Sequence, residues 1–99
     1  MSDAPIPLPE LFQGDLSPAQ VQRLFSDLES FAEIDGISVK GGPQAYTTGE
    51  HTTLAEAAAL VQARTVAGVQ IRYQYAGQAW FDTLMLRGDA TRVVRIKAP

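Results

Sequence analysis

The sequence predicts an α+β domain in which two helices pack on one face of a three- to four-stranded, mainly antiparallel sheet, in the order α-β-α-β-β-β. Two segments with helical periodicity begin at capping residues, and residues 69–97 alternate between apolar and polar side chains. The 99 residues are enough for one domain and too few for two. We divide the chain into an extended arm, residues 1–16, and an α+β body, residues 17–99.

The arm contains "APIPLP" at residues 4–9, where proline alternates with apolar residues. Proline fixes φ and has no N–H, so this pattern favours an extended, polyproline-like segment. We expect the arm to pack on its own domain through Ile6, Leu8, Leu11 and Phe12.

The first helix is predicted over residues 17–34. Ser17 is the expected N-cap, Pro18 suits the first helical position, and Gln20 completes a capping box. Apolar residues at three- and four-residue spacing form one face, and the helix should end near "DG" at 35–36. The alternating "ISVK" at 37–40 then predicts a short strand.

The second helix is predicted to begin near Thr53, which forms a capping box with Glu56. The segment "LAEAAALVQAR" is rich in strong helix formers, and its alanines permit close packing on a neighbour. Gly68 marks the expected exit. Three strands follow, "VQIRYQY" (69–75), "AWFDTLMLR" (79–87) and "TRVVRIK" (91–97), which predict an antiparallel meander.

The first turn of the meander allows two registers, and a slip of one residue exchanges the two faces of a strand. A two-residue loop at 76–77 places Asp82 on the apolar face beside Ile71, where a carboxylate without a partner is costly. A three-residue loop at 75–77 turns Asp82 outward. We favour the three-residue loop, because Ala76 suits the positive φ of a type I′ turn poorly.

In that register the outer face of the meander carries a set of residues that we expect to bind a partner. Gly88 and Asp89 fit a type II′ turn that pairs Asp82 with Arg95 and Trp80 with Lys97. Phe81, Met85 and Ile96 then lie in the core. A monomer rarely leaves a tryptophan and a leucine cluster in water. The predicted partner-binding residues are Arg72, Trp80, Asp82, Leu84, Leu86, Arg95 and Lys97.

The sequence offers little for catalysis or cofactor binding. The absence of cysteine excludes disulfides, thiolate metal sites and cysteine nucleophiles. His51 is the single histidine and has no nearby set of metal ligands, and "KGGP" at 40–43 is not followed by a phosphate-loop motif. With neither an apolar run long enough to span a membrane nor a secretory signal, we expect a cytoplasmic protein without membrane contact.

Charge is distributed unevenly along the chain. Residues 1–63 hold two basic and nine acidic residues, whereas residues 64–99 hold six basic and two acidic residues. We therefore expect a small, non-catalytic accessory or adaptor protein that needs no cofactor or metal and binds a protein partner through the outer face, with a homodimer as the simplest case. The alternative is a single-stranded RNA-binding module that uses the same basic and aromatic face.

Overall fold

The computed structural model describes residues 11–41 and 52–99 and confirms the α+β class. Two helices accompany a five-stranded sheet of order β1-β5-β4-β3-β2, in which each neighbouring pair is antiparallel. Residues 1–10 of the predicted arm and the loop around His51 lie outside the described residues. The elements are β1 (Leu11–Leu16), α1 (Pro18–Phe31), β2 (Glu33–Lys40), α2 (Leu54–Ala63), β3 (Gly68–Tyr75), β4 (Gln78–Arg87) and β5 (Ala90–Lys97).

Strand β1 is the element that the sequence patterns did not predict, since residues 11–16 were assigned to the arm. It forms one edge of the sheet and pairs along its whole length with β5, from Leu11 opposite Ile96 to Leu16 opposite Thr91. The sheet thus joins the earliest and the latest described strands of the chain.

Helix α1 begins as predicted and ends earlier. The Ser17 hydroxyl accepts from the Gln20 backbone N–H at 3.2 Å, and the Gln20 side chain accepts from the Ser17 N–H at 2.8 Å. At the other end Ala32 is already extended, with φ −108° and ψ 155°. Strand β2 therefore starts at Glu33, four residues before the predicted strand, and a bulge lies between Ile34 and Gly36.

Helix α2 has the predicted capping box between Thr53 and Glu56, with hydrogen bonds of 2.9 and 3.1 Å. Its C-cap, Arg64, is left-handed, with φ 55°. The Arg64 guanidinium donates to the backbone carbonyls of Gly88 at 2.6 Å and Ala90 at 2.9 Å. The end of α2 is thereby attached to the turn between β4 and β5.

The second turn of the meander is confirmed, whereas the preferred register of the first turn is wrong. Arg87 pairs with Ala90 around Gly88, which takes the positive φ (56°) expected of the first residue of a type II′ turn. At the first turn Tyr75 pairs with Gln78, so the loop has two residues. Ala76 and Gly77 have φ values of 55° and 79°, as a type I′ turn requires.

This register sets which side chains the helices cover. The hydrophobic core joins apolar residues of both helices to alternate residues of the sheet. The sheet's contribution to this helix-covered face is Ile37, Val69, Ile71, Tyr73, Trp80, Leu84 and Val93. We call the other side of the sheet the open face, because the residues that alternate with these point away from the helices.

The two-residue loop forms although it places Ala76 in an unfavourable conformation. A left-handed alanine costs about 1–2 kcal/mol. Apolar burial does not decide between the registers, because Trp80 and Leu84 are buried in this one and Phe81 and Met85 would be buried in the other. The objection to this register was an unpaired Asp82, and that carboxylate is in fact paired.

Candidate protein-binding surface

Asp82 is the centre of a buried polar cluster on the helix-covered face, formed with Tyr73 and Arg95. Its carboxylate is fully buried. Arg95 donates from Nε to Oδ1 at 2.8 Å and from Nη2 to Oδ2 at 2.7 Å, and the Tyr73 hydroxyl donates to Oδ1 at 2.8 Å. A two-pronged guanidinium contact with an added hydroxyl is strong and directional. The predicted pair of Asp82 with Arg95 is therefore present, but on the opposite face from the predicted one.

The cluster shifts the pKa values of Tyr73 and Arg95. Burial, followed by the negative charge of Asp82, raises the pKa of the Tyr73 phenol far above its ordinary value of 10.0. Burial by itself would lower the pKa of Arg95, but the hydrogen bonds and charge of Asp82 outweigh this effect and leave that pKa raised. The phenol of Tyr73 therefore stays neutral and the guanidinium of Arg95 stays charged near neutral pH.

Trp80 lies on the same face, opposite Tyr73 on β3 and Lys97 on β5. It is 6% exposed, and its indole N–H is buried without a hydrogen-bond acceptor among the described residues. An unsatisfied buried donor costs about 1–3 kcal/mol. Burial of the indole ring offsets this cost, so the tryptophan is part of the core.

The observed register places the seven predicted partner-binding residues on two different faces of the sheet. The helix-covered side of the sheet holds Trp80, Asp82, Leu84, Leu86, Arg95 and Lys97, of which Leu86 is half-buried and Lys97 exposed. Their outward orientation was predicted from the three-residue loop and is wrong. Only Arg72 lies on the open face, where it faces Phe81 across the strands.

The open face is crossed by three rows of residues in register, each running from β2 through β3, β4 and β5 to β1. The first row is Gly36, Arg72, Phe81 and Ile96, and the backbone of Leu11 pairs at its β1 end. The second row is Ser38, Gln70, Thr83, Val94 and Gln13. The third row is Lys40, Gly68, Met85, Arg92 and Asp15.

The middle of this face is apolar. Phe81, Met85 and Val94 are half-buried by their neighbours, and Ile96 is 37% exposed. We call these four residues the apolar stripe. None of the four belongs to the core cluster that the helices cover. Phe81, Met85 and Ile96 were assigned to the core from the sequence, because β4 carries large apolar residues on both faces and its alternation alone does not distinguish them.

Polar side chains border the stripe on the β2–β3 side. Arg72 donates to the Ser38 hydroxyl at 2.9 Å and to the Gln70 side-chain oxygen at 3.3 Å. A Cβ built at Gly36 would lie 2.5 Å from Nη2 of Arg72, so this glycine leaves room for the guanidinium to lie across β2. Arg72 is thereby held flat against the sheet beside Phe81.

A second polar border lies on the β5–β1 side. Arg92 donates to the Gln13 side chain at 2.9 Å and forms a 3.5 Å ion pair with Asp15. The Asp15 side chain remains 63% exposed, so this pair is worth about 0–1 kcal/mol. An apolar centre with a hydrated polar rim is the usual anatomy of a protein–protein interface.

A groove of about 380 Å³ between α1 and α2 is lined by residues such as Phe25, Leu54 and Ala58, with Glu29 as its single ionisable side chain. Residues 11–41 and 52–99 contain no group of three potential metal ligands. Within the same ranges no helix has the length and apolar character needed to cross a bilayer.

Comparison with known proteins adds no assignment. The chain matches no family model, no curated protein and no solved structure. The candidate site therefore rests on the geometry of the open face alone.

Proposed function

We propose that the chain is a small, non-catalytic cytosolic accessory protein that binds a protein partner through the open face of its sheet. The observation that carries this proposal is the apolar stripe on the side of the sheet that neither of the two described helices covers. The role that the sequence suggested for the outer face of the meander is retained, and the residues that perform it change.

The stripe favours a protein partner because of its shape and its border. Five strands side by side present a broad surface rather than a pocket, and broad surfaces suit protein partners better than small molecules. Phe81 is the expected anchor, since buried aromatic side chains dominate interface energies. Arg72, fixed beside it by two hydrogen bonds, loses little conformational freedom on binding.

The absence of catalysis is proposed from the state of the buried cluster. Asp82 is closed to solvent and engaged by two donors, Tyr73 and Arg95. A general base needs a carboxylate that can reach a substrate proton, and this one cannot.

The test compares two phenylalanines changed to lysine. Phe81→Lys places a charge in the stripe, whereas Phe31→Lys changes a residue at the end of α1 that is 47% exposed. We expect Phe81→Lys to abolish association, measured as light scattering of the pure protein and as capture from cell extract, with the melting temperature kept within a few degrees. Phe31→Lys should leave association intact.

Two results would contradict the proposal. If the wild type neither self-associates nor captures a partner, the open face is not a binding surface. If Phe81→Lys unfolds the protein while Phe31→Lys does not, Phe81 belongs to a covered core.

Single-stranded nucleic acid is the second candidate partner, because Arg72 and Phe81 are paired across neighbouring strands of an open sheet. Such binding should weaken steeply as salt increases and should be reduced by Arg72→Ala. Fluorescence anisotropy with labelled single-stranded oligonucleotides at low salt distinguishes the two candidates. We expect no binding, and a salt-sensitive signal lost in Arg72→Ala would replace the protein partner with nucleic acid.

A further inference from the structure

We infer that the partner of the open face is a second copy of this chain, packed face to face about a two-fold axis that runs along β4. This inference rests on the proposed function and specifies its partner. It is drawn from the position of β4, the charges at the two edges of the sheet and the size of the face.

Strand β4 is the middle strand of the five, with two strands on each side. A two-fold axis parallel to β4, midway between two facing sheets, places β4 over its own copy and β1 over β2 of the other chain. Rotation about this axis does not move residues along the strand direction. Each of the three rows therefore faces the same row of the second copy, read in the opposite direction.

The charges at the edges are complementary under this operation. The third row begins with Lys40 on β2 and ends with Asp15 on β1, so each lysine faces an aspartate of the other copy, twice per dimer. Asp15 is 63% exposed in its side chain, and Lys40 has no carboxylate partner within residues 11–41 and 52–99 of its own chain. Complementary charges of this kind set orientation and register between partners.

The side-chain sizes also agree. In the third row Arg92 of one copy faces Gly68 of the other, the position on β3 that has no side chain. Gly68 cannot carry one, because its Cβ would lie 2.5 Å from the Leu84 carbonyl oxygen. In the first row Phe81 faces its own copy, which places two aromatic rings on the axis.

The area is sufficient for a specific contact. Five strands spaced by about 4.8 Å, with about eight residues each at 3.3 Å, have a footprint on the order of 600 Å². Two such faces bury about 1,200 Å² together, which is the lower end of the range for stable interfaces. We therefore expect a dimer whose population depends on concentration.

Sedimentation and cross-linking test this arrangement. The chain contains no cysteine, so single cysteines introduced on the open face report directly on neighbours. Gln13 and Ser38 end the second row on opposite edges. A Gln13→Cys protein mixed with a Ser38→Cys protein should form a covalent dimer with a bis-maleimide that spans the sheet separation of about 10 Å. Neither protein should do so alone, whereas Thr83→Cys on the axis should link to itself.

Exchanging the charges at the two edges of the sheet provides a second test of the dimer. Asp15→Lys and Lys40→Asp should each raise the dimer dissociation constant by about tenfold, and the double variant should restore it. Melting temperatures, measured in parallel, control for changes in the fold.

The outcomes separate this inference from the proposed function. A Gln13→Cys protein that cross-links to itself would indicate another axis and overturn the arrangement. A chain that remains monomeric at high concentration, yet captures a different protein in a manner abolished by Phe81→Lys, would overturn self-association and keep the open face as an interface. A monomer that captures nothing would overturn both.

Discussion

The two faces of β4 carry side chains of similar size in very different surroundings. On one side Trp80, Asp82 and Leu84 are buried under the helices. On the other Phe81, Thr83 and Met85 are only half-buried by the residues beside them. Position relative to the helices, rather than side-chain type, therefore decides which residues are fully buried in the core and which stay half-exposed.

The largest expected effect follows from removing the charge at the centre of the covered face. Asp82→Asn leaves the partly buried Arg95 without its counter-charge, and breaking a buried ion pair in this way costs up to about 3–5 kcal/mol. Thr83→Ala, its neighbour on the open face, should cost less than about 1 kcal/mol. Urea unfolding followed by tryptophan fluorescence measures both.

A double variant tests whether the unpaired charge of Arg95 causes this loss of stability. Asp82→Asn combined with Arg95→Met removes both members of the pair, and we expect it to recover part of the lost stability, since no buried charge is left unpaired. Equal stability of the single and double variants would show that Arg95 reaches water once its partner is gone.

The apolar residues of the two faces should differ by a smaller amount. Leu84→Ala creates a cavity in the core, and such changes cost about 2–5 kcal/mol. Met85→Ala removes a half-buried side chain from the open face and should cost clearly less in dilute solution. If both variants lose the same free energy of unfolding, a further layer covers the open face and the contrast between the two sides fails.

Tyr73 makes the free energy of unfolding depend on pH. Its pKa is raised in the folded state, so its contribution is complete below the unfolded pKa of about 10 and is lost as the pH rises above that value. At neutral pH we expect Tyr73→Phe to cost about 1.5–3 kcal/mol, the range for a hydrogen bond to a charged group. The gap between wild type and variant should narrow from pH 9 to pH 11. A gap that stays constant in urea titrations over this range would show that the phenol titrates normally.

The smallest expected effect concerns the turn between β3 and β4, which determines the side chains of β4 that face the helices. Ala76 is left-handed in a type I′ turn, a position that asparagine tolerates better. Ala76→Asn should therefore stabilise the protein by about 0.5–1 kcal/mol, seen as a higher urea midpoint. Destabilisation would favour the three-residue loop and the opposite assignment of faces.

Features encoded locally were predictable from the sequence. Both capping boxes, both helices, the meander and the type II′ turn at Gly88 depend on residues within a few positions of one another, and all are present. The first hairpin register was not predictable in this way, because the three members of the Tyr73, Asp82 and Arg95 cluster come from three different strands.

A usable signal was nevertheless present. The second turn already placed Arg95 opposite Asp82, and in the two-residue register Tyr73 lies diagonal to the same carboxylate. Two donors were thus available to Asp82 on the core side, so the penalty assumed for an unpaired charge did not apply. For the candidate site, the sequence predicted the meander as its location and Arg72 as a member, while the apolar stripe depended on the register.

The pairing of β1 with β5 has a consequence for biosynthesis. Gln13 and Arg92, which bridge these strands, are 79 residues apart in the chain. Contacts so distant carry a high entropic cost of closure and form late, whereas the β3–β4–β5 hairpins need only short turns. During translation β1 therefore leaves the ribosome well before its pairing strand has been made. Until the two meet, the outer backbone of β5 is open to β1 of any neighbouring chain, so strand exchange is the misassembly to expect when many copies are synthesised together.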